Sequence, residues 1–293
     1  MAESLTFTTI STSIKTNDAS SKNKKISLVL IHGWGLNSGI WQPLIEKFLN
    51  EQHITGAFNL EIITVDLPGF GKNSHVNIAP YSLANICKYI AEAINKPAVY
   101  LGWSLGGLVA TEMALNYPEK VLGLITVASS PHFVEKNCKV PAEAEVNCNH
   151  WPGIKANVLM GFHKQLSESI EKTLTNFLKI QAMGSSSIRH DIKLITKLVM
   201  QYQLPNQEVL ASSLQLLESC DLRQQLANIR QPFVRIYGAN DSLVPKSIIP
   251  LVNKLAENSE QHLFSGASHA PFISHADDFY QVLNKWLMKQ FGT

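Results

Sequence analysis

One stretch of ten residues constrains this chain more than any other: Ala98-Val99-Tyr100-Leu101-Gly102-Trp103-Ser104-Leu105-Gly106-Gly107. A short apolar run rich in β-forming residues ends in Gly-x-Ser-x-Gly, and a helix-forming segment from Leu108 to Asn116 follows. The pattern predicts a strand, a sharp turn and a helix, with Ser104 at the apex. Such a turn is strained. Gly102 and Gly106 leave it room, because a Cβ at either would collide with the neighbouring strand or helix. Ser104 would then stand clear of the sheet at a helix N-terminus, where free backbone N–H groups can stabilise an oxyanion. Gly-x-Ser-x-Gly also arises by chance in Gly-rich turns, so the rest of the chain has to decide its meaning.

The flanking segments alternate. Ile26 to Ile31, Leu60 to Val65 and Val121 to Val127 are continuous β-branched and leucine runs, the pattern of strands buried on both faces. Leu5 to Ile10 reads as an edge strand and Asn17 to Lys25 as a polar turn. Helical periodicity covers Ser38 to Asn50, with Trp41, Leu44, Ile45 and Phe48 on one face, and Tyr81 to Ile94, with Ser82 as cap. The order β-α-β-α-β-α-β with short links predicts an α/β fold, a mostly parallel, doubly wound sheet with helices on both faces. Ligands of such sheets sit beyond the carboxyl ends of the strands. His32-Gly33-Trp34-Gly35, Ser104 and Ser129-Ser130 all fall there.

From Pro131 to about Pro205 the β-branched runs stop. Trp151-Pro152-Gly153-Ile154 marks a turn, and helical periodicity then continues to Gln203 with a break near Met183-Gly184. Residues 131–207 are expected to form a helical cap inserted between two parts of the core, 1–130 and 208–293. Asp221 to Leu226 reads as a short helix returning to that core. A strand at Pro232 to Tyr237, a helix at Ile248 to Leu255, a strand at Gln261 to Phe264 and an amphipathic helix at Phe279 to Phe291 complete it.

Composition narrows the function classes. The 293 residues are 45% hydrophobic and 16% charged with a net charge of +2, so a large core is expected and nothing global points to nucleic acid. The N-terminus lacks the basic region and apolar run of a signal peptide, and no apolar stretch is long enough to cross a bilayer; a cytoplasmic chain is expected. Cys87, Cys138, Cys148 and Cys220 form no Cys-x-x-Cys pair and have no histidines at zinc spacing. Reduced thiols, no metal and no organic cofactor are expected. A Cys138–Cys148 bridge stays open but suits an oxidising compartment better.

A serine hydroxyl is a poor nucleophile at neutral pH; it needs a base, and the base needs an orienting acid. In this architecture the chain order is Ser, then Asp or Glu, then His. Asp241 follows the strand ending at Tyr237 and His269 follows the last strand, so both can converge on Ser104. Asp221 is a rival acid, and His262 and His275 are rival bases, within a strand and near a helix instead of on the loop. The oxyanion donors would be the N–H of Leu105 and the N–H of Trp34, in the loop after the first buried strand. Loss of one such donor costs about 3 kcal/mol of transition-state stabilisation. The loop Asp66-Leu67-Pro68-Gly69-Phe70-Gly71 has neither Gly-x-Gly-x-x-Gly nor a Walker lysine, and reads as structural. The helical insertion carries Lys155, Lys164, Lys172, Lys179, Arg189, His190, Lys193 and Lys197, a solvated face or a docking surface for an acidic protein.

The segments Leu28 to Asn37, Val65 to Gly71, Leu101 to Ala110, Thr126 to Pro131, Trp151 to Lys155 and His269 to His275 closely resemble the BioH family of pimeloyl-ACP methyl ester carboxylesterases, in the α/β-hydrolase superfamily. The likeness covers nearly the whole chain from Ile26, cap included. Gly-x-Ser-x-Gly is generic; the Gly-Trp-Ser-Leu-Gly-Gly elbow together with Trp-Pro-Gly-Ile-Lys is far more specific. The resemblance implies hydrolysis of the methyl ester of pimeloyl-ACP to pimeloyl-ACP and methanol, with Ser104 as nucleophile, His269 as base and Asp241 as orienting acid. It implies a substrate chain lined by Trp34, Ser104, Leu105, His269 and the cap stretch Phe177, Leu178, Lys179, Ile180 and Gln181. It implies acyl carrier protein as partner, docked on Lys172, Arg189 and Lys193, and the enzyme is expected to be a monomer. The chain departs from the family at Asn176, where a further arginine is usual, and at Lys172 and Lys193, which keep the charge of arginine without its bidentate fork. Glu135 to Asn149 and the N-terminal extension are insertions relative to the family.

Overall fold

The structure, a computed structural model, describes residues 4–11, 24–51, 58–136, 150–185 and 187–292. Most of the Asn17–Lys25 turn, and Cys138 and Cys148, lie outside the described residues. Seven strands form one sheet: β1 (Phe7–Ser11), β2 (Lys24–Ile31), β3 (Phe58–Val65), β4 (Ala98–Trp103), β5 (Val121–Val127), β6 (Phe233–Gly238) and β7 (Glu260–Phe264), in the spatial order β1-β3-β2-β4-β5-β6-β7. β1 pairs antiparallel with β3 at the edge, and every other pairing is parallel. The expected mostly parallel α/β sheet is what forms.

The apolar runs form central strands because both of their faces are covered. Along β2, Val29 and Ile31 join one core with Tyr100 of β4, while Leu28 and Leu30 join the other with Val99 and Leu101. Helices α2 (Leu83–Ala93) and α3 (Leu105–Asn116) fill the first core. Helix α1 (Gln42–Asn50), preceded by a 3₁₀ turn, fills the second. The Ser82 hydroxyl accepts from Asn85 N at 3.2 Å and caps α2 as its sequence predicts.

Beyond β5 the chain leaves the sheet. Helices α4 (Ala156–Glu168), α5 (Ile170–Ala182) and α6 (Ile188–Val199) follow, and Ser169 caps α5 by accepting from Lys172 N. A further helix, α7 (Gln207–Ser219), occupies a stretch to which the sequence reading assigned no element. Its signal is there to read: Asn206 caps it, and Val209, Leu210, Leu214 and Leu217 recur at helical spacing. A 3₁₀ segment at Arg223–Asn228 returns the chain to β6. Helices α8 (Ile249–Leu255), α9 (Pro271–Ser274) and α10 (Ala276–Phe291) complete the second half. No helix among the described residues is long and apolar enough to cross a membrane.

Candidate active site

Ser104 links β4 to α3 with φ 54° and ψ −119°, a left-handed conformation that costs a non-glycine residue about 1–3 kcal/mol. The surroundings over-determine it. Ser104 N donates to Val127 O at 2.9 Å, and its carbonyl accepts from Gly107 N at 2.9 Å and Ser129 Oγ at 2.8 Å. A Cβ on Gly102 would lie 2.0 Å from Gly106 O, and one on Gly106 would lie 2.4 Å from Ile31 O. The two glycines let strand, turn and helix pack at backbone distance.

Asp241 lies in the turn after β6 and His269 in the loop after β7. His269 Nδ1 and Asp241 Oδ2 are 2.8 Å apart, and both side chains are buried. Asp241 Oδ1 accepts from Leu243 N at 2.8 Å and Val244 N at 3.0 Å, so one carboxylate oxygen builds the turn and the other holds the imidazole. An ionised carboxylate only accepts, which puts the ring proton of His269 on Nδ1 and the lone pair on Nε2. Nε2 is buried and makes no hydrogen bond among the described residues. The Ser104–His269 bond is therefore open here, as such bonds often are before substrate tightens them. Trp103 flanks the pair, its Nε1 donating to His269 O at 2.7 Å.

The rivals go elsewhere. Asp221 pairs with Arg223 at 2.6 Å, whose guanidinium holds that carboxyl far below its ordinary range, and with Lys136 at 3.3 Å. His262 packs on Phe264 within β7, and His275 precedes α10 with Ser274 on its ring.

The loop after β2 is held against the serine: a Cβ on Gly33 would lie 3.2 Å from Ser104 Cβ. Leu67 N donates to His32 Nε2 at 3.0 Å, so the His32 proton sits on Nδ1, which donates to Gly33 O at 2.8 Å. That carbonyl and the Trp34 N–H belong to one planar peptide, so His32 fixes the direction in which Trp34 N–H points. Leu105 is the first residue of α3, directly after the serine. The Trp34 ring donates from Nε1 to Leu210 O at 3.0 Å and packs edge-on against Phe177, centroids 4.8 Å apart.

Residues 26–276 match the α/β hydrolase fold family. The chain belongs to that family. Among solved structures it is similar to an esterase (EaEST) from Exiguobacterium antarcticum, with 18% identity, 96% of this chain and 94% of that chain covered, and a TM-score of 0.75. It is similar to a bromoperoxidase from Bacillus anthracis, with 17% identity, 97% and 95% covered, and a TM-score of 0.74. MenH from S. aureus shares 21% identity over 97% and 98%, with a TM-score of 0.66. At these identities the likeness speaks for the hydrolase fold alone.

Helices α4 to α6 bring some of the sequence-predicted residues of this α/β hydrolase to the serine side and not others. Phe177 and Gln181, one helical turn apart on α5, are buried, Phe177 on Trp34 and Gln181 against the His269 loop, where its carbonyl accepts from His269 N at 3.2 Å. Leu178 points into the other core, with Leu198 and Trp41. Lys179 is exposed and, with Ile180, lines a groove of about 380 Å³ between α4 and α5. Lys172, Arg189 and Lys193 are exposed, with no ion-pair partner among the described residues. A cavity of about 800 Å³ at Lys136, Trp151, Arg223 and Lys254 contains none of Ser104, Asp241 or His269. Among the described residues no group of three His, Cys, Asp or Glu side chains is placed to hold a metal ion. Sequence reasoning did not foresee the orienting bond of His32 or the contacts of Ser129, because neither a ring tautomer nor a carbonyl partner leaves a spacing signature.

Proposed function

We propose that this chain is a serine carboxylesterase acting on the methyl ester of pimeloyl-ACP. The observation that carries the reaction class is the Nδ1–Oδ2 bond of 2.8 Å between His269 and Asp241, buried beneath the same strand ends as a strained Ser104. His269 Nε2 takes the proton of Ser104 Oγ as that oxygen attacks the ester carbonyl. The carbonyl oxygen becomes an oxyanion held by Leu105 N–H and Trp34 N–H. Collapse breaks the C–O bond to the methoxy group, which leaves as methanol with the proton from His269. Water, deprotonated by the same Nε2, then cleaves the acyl–Ser104 ester and frees the carboxylate.

Two observations support an acyl chain with a polar end and a carrier. Trp34, Phe162 and Phe177 form an aromatic wall, while the buried Gln181 amide has no partner for its nitrogen or its oxygen among the described residues, a polar contact in an apolar lining. On α6, Arg189, Lys193 and Lys197 recur every four residues and make one exposed cationic stripe, with Lys172 in the first turn of α5. Such a stripe suits an acidic carrier.

Charge reversal at Arg189 and Lys193 tests the partner. KM for pimeloyl-ACP methyl ester is expected to rise about tenfold or more, with KM for a free short-chain ester unchanged. Equal effects on both substrates would remove the docking surface and leave a general short-chain esterase.

A further inference from the structure

Ser104 is only 2% exposed and His269 is buried, beneath the helices that follow β5. The last turn of α5 and the segment after it, Gln181 to Ser185, are bonded to both loops that carry the acid and the base. On the base loop, His269 N donates to Gln181 O at 3.2 Å. The Ser268 hydroxyl lies 2.7 Å from that same carbonyl and 2.6 Å from Met183 O, one proton shared between two acceptors. On the acid loop, Asn240 Nδ2 donates to Gly184 O at 3.0 Å. Gly184 has φ +91°, and a Cβ there would meet Asn240 at 2.8 Å. The two loops are also tied to each other, Asn240 N donating to Ala267 O at 2.9 Å.

We infer that Ser268 and Asn240 are positioning residues, latching the cap turn Gln181–Gly184 to the loops of His269 and Asp241 so that cap seating and alignment of the base are one equilibrium. Ile180 O and Ala182 O, at the end of α5, accept from the turn itself, whereas Gln181 O and Met183 O take their partners from the base loop. A cap that lifts pulls these bonds apart, and a cap that closes over an acyl chain restores them together with the place of His269. Chemistry is thereby confined to the closed state. The inference rests on the Ser104–His269–Asp241 reading, and it is separable from it: a Ser104→Ala variant that keeps its rate would end that reading without any measurement on the latch.

The test compares Ser268→Ala and Asn240→Ala with the wild type, by steady-state kinetics on a free short-chain ester and by hydrogen exchange. Asn240 is exposed, so its variant supplies the test should a change at the buried Ser268 prevent folding. The latch requires kcat to fall about ten- to a hundredfold with KM within about twofold, because a base displaced by an ångström slows chemistry and not binding. It also requires faster exchange of the amides from Gln181 to Ser185 and of His269. A merely structural role would lower the melting temperature and leave kcat and these amides as they are, and that result overturns the inference.

Discussion

At the residue scale, His32 holds the backbone of the loop that carries Trp34. Burial pushes its pKa down, opposed by Asp66 at 3.9 Å and by its bond to Gly33 O. The neutral ring accepts from Leu67 N and donates to Gly33 O, and the donation orients the Trp34 N–H. His32→Ala is expected to lower kcat on a short ester about ten- to a hundredfold, less than the full loss of an oxyanion donor. The pH dependence has a definite sign. Below about pH 6.5 the unfolded chain binds a proton that the folded ring refuses, so the stability contributed by His32 is lost as pH falls. The stability gap between wild type and His32→Ala, measured by urea unfolding, should therefore narrow from about pH 7.5 to about pH 5. A constant gap would show that the ring is not held neutral.

At the scale of elements, the elbow and helix α4 leave opposite amounts of room for one added carbon. At Gly102 a Cβ would stand 2.0 Å from Gly106 O, backbone that cannot yield without moving α3. At Gly161, on α4, nothing lies within 4 Å of the same added carbon. Gly102→Ala is expected to cost about 3 kcal/mol or more, and Gly161→Ala to gain about 0.5–1 kcal/mol, both read from urea midpoints. Equal effects would mean that the tight approach of β4 and α3 is not what the elbow requires. The strands, the elbow, the Ser82 cap and the closing helix were legible in the sequence because each is written in local periodicity, glycine placement or capping chemistry. The turn order also pointed to Asp241 in preference to Asp221, and only Asp241 meets His269. The latch of Ser268, the bond from Trp34 to Leu210 and the tautomer of His32 were not legible. Each depends on a main-chain carbonyl brought close by the tertiary fold, and any residue can supply a carbonyl.

On the scale of the whole molecule, the sheet places four loops from distant parts of the chain at the carboxyl ends of its strands, and the helices after β5 pack against them. The parallel order β3-β2-β4-β5-β6-β7 sets the carboxyl ends of β2, β4, β6 and β7 along one side of the sheet, which is why the loops of Trp34, Ser104, Asp241 and His269 lie on that side although they span most of the sequence. The helices after β5 bury Phe177 and Gln181 on one side and expose the cationic stripe of Arg189, Lys193 and Lys197 on the other, the two faces on which the proposed function draws. The measurement that tests this arrangement most directly is acyl transfer to Ser104. Wild type and Ser104→Ala are mixed with a short p-nitrophenyl ester, quenched in the burst phase and analysed by peptide mass. The expected result is one acyl group on the wild-type peptide containing Ser104, none on the variant, and a fall in kcat of about 10⁴- to 10⁶-fold. A variant that keeps a tenth of the rate, or an acyl group on another residue, would contradict it.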